Sequence, residues 1–149
     1  MNHSLRSPMK IKVNRVIHYR WAGCLALSVL VLVGLGTKWY SGLGQAWVHD
    51  FSGDILYEMA WVILLGIWKI RWPARTIAIG VFMATGLVEL TQLIPFPADL
   101  KAHLLWRLLL GTTFSFWDYP HYLVGCALGG LLLSYLRQLY LRPRSRSHS

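Results

Sequence analysis

Acidic residues are few in this sequence. Six Asp and Glu stand against fifteen Lys and Arg, giving a formal net charge of +9, and only 14% of the 149 residues are charged. Soluble domains carry roughly a quarter charged residues, so an ordinary water-soluble globule is excluded. Cysteine is scarce too. Cys24 and Cys126 each lie inside an apolar block, give no disulfide framework or zinc-ligand spacing, and read as small packing residues. Catalytic signatures are missing: there is no G-x-S-x-G, no H-E-x-x-H and no phosphate-cradling glycine loop. His103 and His121 have no second ligand at helical spacing on a common face, so neither metal nor cofactor is expected. The basic excess falls in the two ends and one short turn between apolar blocks. No reading element carries it, and nucleic acid is not an expected partner.

What the sequence does have is long apolar blocks. Hydrophobic residues make up 55% of the chain. The stretch 76–95, TIAIGVFMATGLVELTQLIP, holds one charge, Glu89, and no Pro before its end. As an α-helix it is roughly 28 Å long, about the thickness of a bilayer's hydrocarbon core. Its aliphatic and aromatic residues each favour insertion by about 0.3–0.6 kcal/mol, which offsets the roughly 2.5–3.5 kcal/mol cost of one central acid. The chain therefore reads as an all-α integral membrane protein.

The spacing of the blocks predicts four transmembrane helices, near residues 22–40, 52–70, 76–95 and 119–140, forming one bundle over 21–140. Residues 1–20 read as a basic, disordered cytoplasmic leader and 141–149 as a basic, disordered tail. A basic start before an apolar run is also the order of a secretory signal. The first apolar run is long for one, and no clear A-x-A site follows it. The apolar part of the segment between the third and fourth helices, residues 104–117, is too short to span and is expected to lie in the interface or fold back into the bundle.

Lys and Arg concentrate in the leader, in the turn 69–75 and in the tail, while the first loop has only Lys38 and the segment before the fourth helix only Lys101 and Arg107. Four crossings with both termini cytoplasmic satisfy all of these biases. The localisation this implies is a bacterial inner membrane, with lipids as the surrounding partners.

In that topology Asp54, Glu58, Glu89, Gln92, Arg107, Asp118 and Tyr122 all fall at a similar depth near the outer face. Glu89 and Gln92 share one helical face, and Arg107 is the nearby guanidinium able to pair with Glu89. Simpler readings stand beside this one. Asp54 and Asp118 suit helix caps, Glu58 can reach interfacial water one turn in, and Tyr57 and Tyr122 suit an interfacial belt. A Glu89–Arg107 pair can also do no more than fix helix register. Gly125 and Gly129 have G-x-x-x-G spacing, which permits close helix packing within the chain or between copies of it in a homo-oligomer.

The order G-D-x-L-Y (Gly53, Asp54, Leu56, Tyr57), E-L-x-Q (Glu89, Leu90, Gln92) and R-x-x-x-G-x-x-F-x-x-x-D-x-x-x-Y-x-x-G (Arg107, Gly111, Phe114, Asp118, Tyr122, Gly125) resembles a bacterial domain-of-unknown-function family, the one numbered twenty-eight-oh-nine. That family is distantly similar to VanZ-like proteins. The resemblance covers about residues 52–132, and Pro120 departs from the apolar residue expected between the Asp and the Tyr. What it implies is a small multi-pass inner-membrane protein with no established activity, and its VanZ-like relatives, associated with glycopeptide susceptibility, point toward the cell envelope.

The reading taken forward is a non-enzymatic membrane protein whose outward-facing polar pocket binds a lipid or cell-envelope component. Two alternatives stay open. One is a membrane enzyme using paired carboxylates on a lipid-linked substrate; the other is a small proton or solute transporter.

Overall fold

A computed structural model of the chain describes residues 8–91 and 116–142. Among them every regular element is helical: α1 (Pro8–Gly36), α2 (Gly53–Trp68), α3 (Ala74–Thr91) and α4 (Asp118–Leu141). The expected interfacial or re-entrant segment falls almost wholly outside the described residues, as do Gln92 and Arg107.

The helix ends follow local chemistry. α1 begins at Pro8, well inside the leader expected to be disordered, because no Gly or further Pro interrupts the chain until Gly23 and an established helix extends readily into such a segment. It stops at Gly36 rather than Tyr40. Gly34 and Gly36 weaken its last turn, and the Thr37 hydroxyl donates to Gly34 O at 2.7 Å as the chain tightens into a 3-10 turn, Thr37–Trp39. The loop that follows turns at Gly44, whose φ of 73° suits only a residue without a side chain. A helical turn (Gln45–Trp47) and a π-turn (Val48–Ser52) then run directly into α2. The helical path of this second element thus starts within what the sequence presents as a glycine-rich loop. Between α2 and α3 the break is short: Trp72 N–H donates to Lys69 O at 3.0 Å, and Ile77 N–H to Pro73 O opens α3.

Helix α2 is the hub. It packs most extensively on α4, then on α1, with α3 covering the remaining side of α4. The core is thin and follows these seams, with Val62 and Ile63 of α2 meeting Tyr19, Leu30, Ile77, Val81, Cys126 and Leu133 from the other helices. At the α2–α4 seam, an added Cβ on Gly125 would fall 2.6 Å from Ile55 O, and one on Gly129 would fall 3.1 Å from Met59 Cα. Backbone there meets backbone, which is the close approach that small residues permit. The G-x-x-x-G pair is used inside the chain.

Outside this core the surface is apolar. Two helical stretches, Val13–Trp39 and Asp118–Leu141, are long and apolar enough to cross a membrane, yet only 17% and 28% of their apolar windows are buried. Large side chains such as Trp21, Leu25, Leu32 and Leu131 point outward. A core helix of a soluble protein would be mostly enclosed.

Candidate functional site

Charge is sorted between the two ends of the bundle. Asp54 and Glu58 lie on the first turns of α2, Glu89 near the end of α3 and Asp118 at the start of α4. With Asp50 on the turn that leads into α2, five of the chain's six acids therefore lie at one end. Asp54 lies within electrostatic reach of Asp118 and Glu89, and of the cationic or titratable groups of Lys38 and His121.

Asp54 is not a helix cap. The helical backbone is continuous through Ser52 and Gly53, Ser52 makes no side-chain cap bond, and its hydroxyl turns back to Val48 O. Asp118 is the first residue of α4, where a carboxylate favours the unpaired N–H groups, but no side chain caps that helix at Trp117.

Glu58 does not reach interfacial water: it is 0% exposed. The Cys126 thiol donates to Glu58 Oε2 at 3.1 Å. Thr85 lies beside this carboxyl, but its hydroxyl is directed to Val81 O at 3.0 Å and Phe82 O at 3.2 Å. Glu58 Oε1 is left as a buried oxygen with no hydrogen-bond partner among the described residues. Buried polar atoms are normally satisfied, and an exception costs about 1–3 kcal/mol.

Glu89 is also buried, at 4% exposure. The Tyr122 hydroxyl donates to Glu89 Oε2 at 3.1 Å, and the Tyr119 hydroxyl donates to Gly86 O, also at 3.1 Å. Two phenols of α4 thus tie its start to the end of α3. Tyr122 is a ligand of the carboxylate rather than a belt residue, whereas Tyr57 faces outward and makes an edge-on contact with Trp61. The outer wall comes from the two turns before α2, where Phe51 stacks on His121 with ring centroids 4.2 Å apart and Trp47 leans on both. Among the described residues no three His, Cys, Asp or Glu side chains group as metal ligands.

Of the residues singled out from the sequence, Asp54, Glu58, Glu89, Asp118 and Tyr122 come together here. Three participants were not singled out. Lys38 reaches across so that its Nζ lies 3.8 Å from where a Cβ on Gly53 would be. Cys126 looked like a packing residue and is a donor to Glu58. Thr85 stands one turn before Glu89 on α3 and flanks the buried carboxyl. Only Lys38 was traceable, as the lone cation of the first loop.

The opposite end is organised by Arg137. Its guanidinium donates to Gly66 O at 3.3 Å, Lys69 O at 3.2 Å, Trp72 O and the Tyr19 hydroxyl, and Tyr19 itself donates to Gly66 O at 2.8 Å. These acceptors include carbonyls at the C-terminal end of α2, which lack intrahelical partners and carry the negative end of the helix dipole. The sequence presents Arg137 as one more basic residue near the tail.

Fold and site together define a protein that is all-helical over its described residues, with two helices suited to cross a bilayer and an acidic cluster gathered between three of its helices, which fits a membrane protein. The chain belongs to the family described as Protein of unknown function (DUF2809), whose sequence model matches residues 43–126, more than half its length. The match takes in α2, α3 and the start of α4, and with them every acid of the cluster, while α1 and the basic tail lie outside it. No curated protein and no solved structure matches the chain.

Proposed function

We propose that this is a non-enzymatic, multi-pass protein of a bacterial inner membrane, and that its acidic end binds a lipid or envelope component through a protonated amine. The observation that carries the reading is the gathering of five of six acids at one end of a chain whose net charge is +9, with Asp54 and Asp118 of that group only half-buried. Like charges held together are costly in a low-dielectric setting. A ligand that donates hydrogen bonds and carries positive charge removes that cost. Exposed apolar surface on α1 and α4 supports the membrane setting, and residues 69–75 together with the two basic termini support four crossings with those segments on the cytoplasmic side.

Topology is checked by single cysteines placed at Arg71 and in the tail and labelled from either side of intact vesicles. Both are expected to label from the cytoplasmic side. Labelling from opposite faces would remove the shared outer level on which the cluster depends.

Ligand class is checked by reconstituting the full chain in nanodiscs of mixed phosphatidylethanolamine and phosphatidylcholine, then measuring the lipid retained on detergent extraction. Retention of the ethanolamine lipid over the choline lipid is expected, with a loss of about fivefold or more in Asp54→Asn/Asp118→Asn, because each neutralised contact removes about 1 kcal/mol or more. Equal retention of the two lipids by the native chain would reject the amine. The other two readings, carboxylate enzyme and transporter, have no specific observation in their favour.

A further inference from the structure

The end of the bundle away from the acids has its own surface, and one of its cations is already committed. Arg137 points inward to backbone carbonyls, as described above. Lys69, Arg71 and Arg75 are exposed and lie on or beside the short link between α2 and α3. Arg20 stands at the same level, because its neighbour Tyr19 bonds to Gly66 O, and Arg142 follows α4 just beyond Arg137. No acid among the described residues lies at this end: Asp50, Asp54, Glu58, Glu89 and Asp118 all occupy the other.

Aromatic rings fix the depth of this surface. Lys69 Nζ sits 4.8 Å from the ring centroid of Trp68 and 5.7 Å from that of Trp72. Trp68 is 72% exposed, and the adjoining helix flanks are apolar. An exposed indole with an apolar body and a polar edge belongs at the headgroup level of a bilayer. Two indoles bracketing one ammonium place that charge in the headgroup layer, with Arg71 and Arg75 beside it. Guanidinium groups match phosphate oxygens bidentately.

From this juxtaposition we propose that Lys69, Arg71 and Arg75, flanked by Trp68 and Trp72, form a docking surface for the headgroups of net-anionic phospholipids. The uncompensated charge selects the partner. A zwitterionic phosphatidylcholine carries its own cation beside the phosphate, whereas phosphatidylglycerol offers the phosphate alone. The inference rests on the membrane reading but not on the amine ligand at the other end.

The test uses the full chain in nanodiscs of phosphatidylcholine containing a minor share of phosphatidylglycerol, with retained lipid quantified by mass spectrometry after mild extraction. Enrichment of phosphatidylglycerol over its bulk share by about fivefold is expected, falling to the bulk ratio in Lys69→Gln/Arg71→Gln/Arg75→Gln. Arg71→Lys/Arg75→Lys, which keeps the charge, should retain most of the enrichment. Should the triple variant fail to insert, the native chain washed in molar salt supplies the same answer, since screening at that strength removes exposed electrostatic attraction. No enrichment in the native chain, or full enrichment in the inserted triple variant or after the salt wash, would overturn the docking surface. Failure of the native chain to co-float with vesicles would instead overturn the membrane reading itself.

Discussion

Replacing Arg137 by alanine is expected to lower the stability of the purified chain by about 2–4 kcal/mol, read as a drop in thermal unfolding temperature in detergent. Four acceptors lose the guanidinium at once, the carbonyls of Gly66, Lys69 and Trp72 and the Tyr19 hydroxyl, although Gly66 O keeps the Tyr19 hydroxyl and Lys69 O keeps the Trp72 N–H. Those carbonyls sit at the end of α2 and in the link beyond it, where the intrahelical bonding has run out. Arginine suits the position because one planar group presents several donors in fixed directions, and its charge opposes the negative end of the α2 dipole. Arg137→Lys keeps the charge but reaches fewer acceptors, so it should recover less than half of the loss. Tyr19→Phe should cost about 1 kcal/mol, since Gly66 O keeps its bond to Arg137. An alanine variant as stable as the native chain would show that these bonds do not hold α1, α2 and α4 together.

The second large effect is expected at Gly125. A methyl group there would meet Ile55 O at 2.6 Å, Glu58 Cβ at 2.7 Å and Ile55 Cα at 3.0 Å. Two of these three atoms are backbone, so no rotamer change relieves the clash and the helices must part. Gly125→Ala should cost about 1–3 kcal/mol and Gly125→Leu more than that. Binding should fall with stability, because moving α4 off α2 separates Asp118 from Asp54 and Cys126 from Glu58. Gly80→Ala is the matched control. Nothing lies within 4 Å of its added Cβ, so helix propensity alone acts and stability should hold or rise by up to about 1 kcal/mol. Equal tolerance at both positions would contradict the α2–α4 seam.

How far the site could be read in advance differs from residue to residue. Asp54 and Glu58 were legible as a pair because they are four apart on one helix, and Glu89 because a carboxylate inside an apolar stretch is conspicuous. The environment of Glu58 was not legible. One turn into a helix suggests access to water, yet Gly125 lets α4 close over it, and that contact spans 68 residues of chain between Glu58 and Cys126. The partner foreseen for Glu89 was Arg107, which lies outside the described residues; the one observed is Tyr122, which the sequence had marked for the cluster without pairing it to any residue. The π-turn ahead of α2 was hidden as well, since glycine-rich composition reads as loop whatever hydrogen bonds the backbone finally makes.

Composition and block spacing alone settled that the chain is helical, that its helices are apolar on the outside, and that its acids and bases sort to different segments. These properties depend on residue type and on neighbours within a turn or two, which a linear reading contains. Tertiary structure alone decided that Glu58 is closed off beneath α4, that Arg137 turns inward while Lys69, Arg71 and Arg75 face out, and that Gly125 and Gly129 serve a seam within the chain. The reason is rotational. A helix apolar on nearly every side has no single stripe to mark which face turns inward, so that choice falls to the fit of small against large side chains across helices, including groups as distant in sequence as Tyr19 and Arg137.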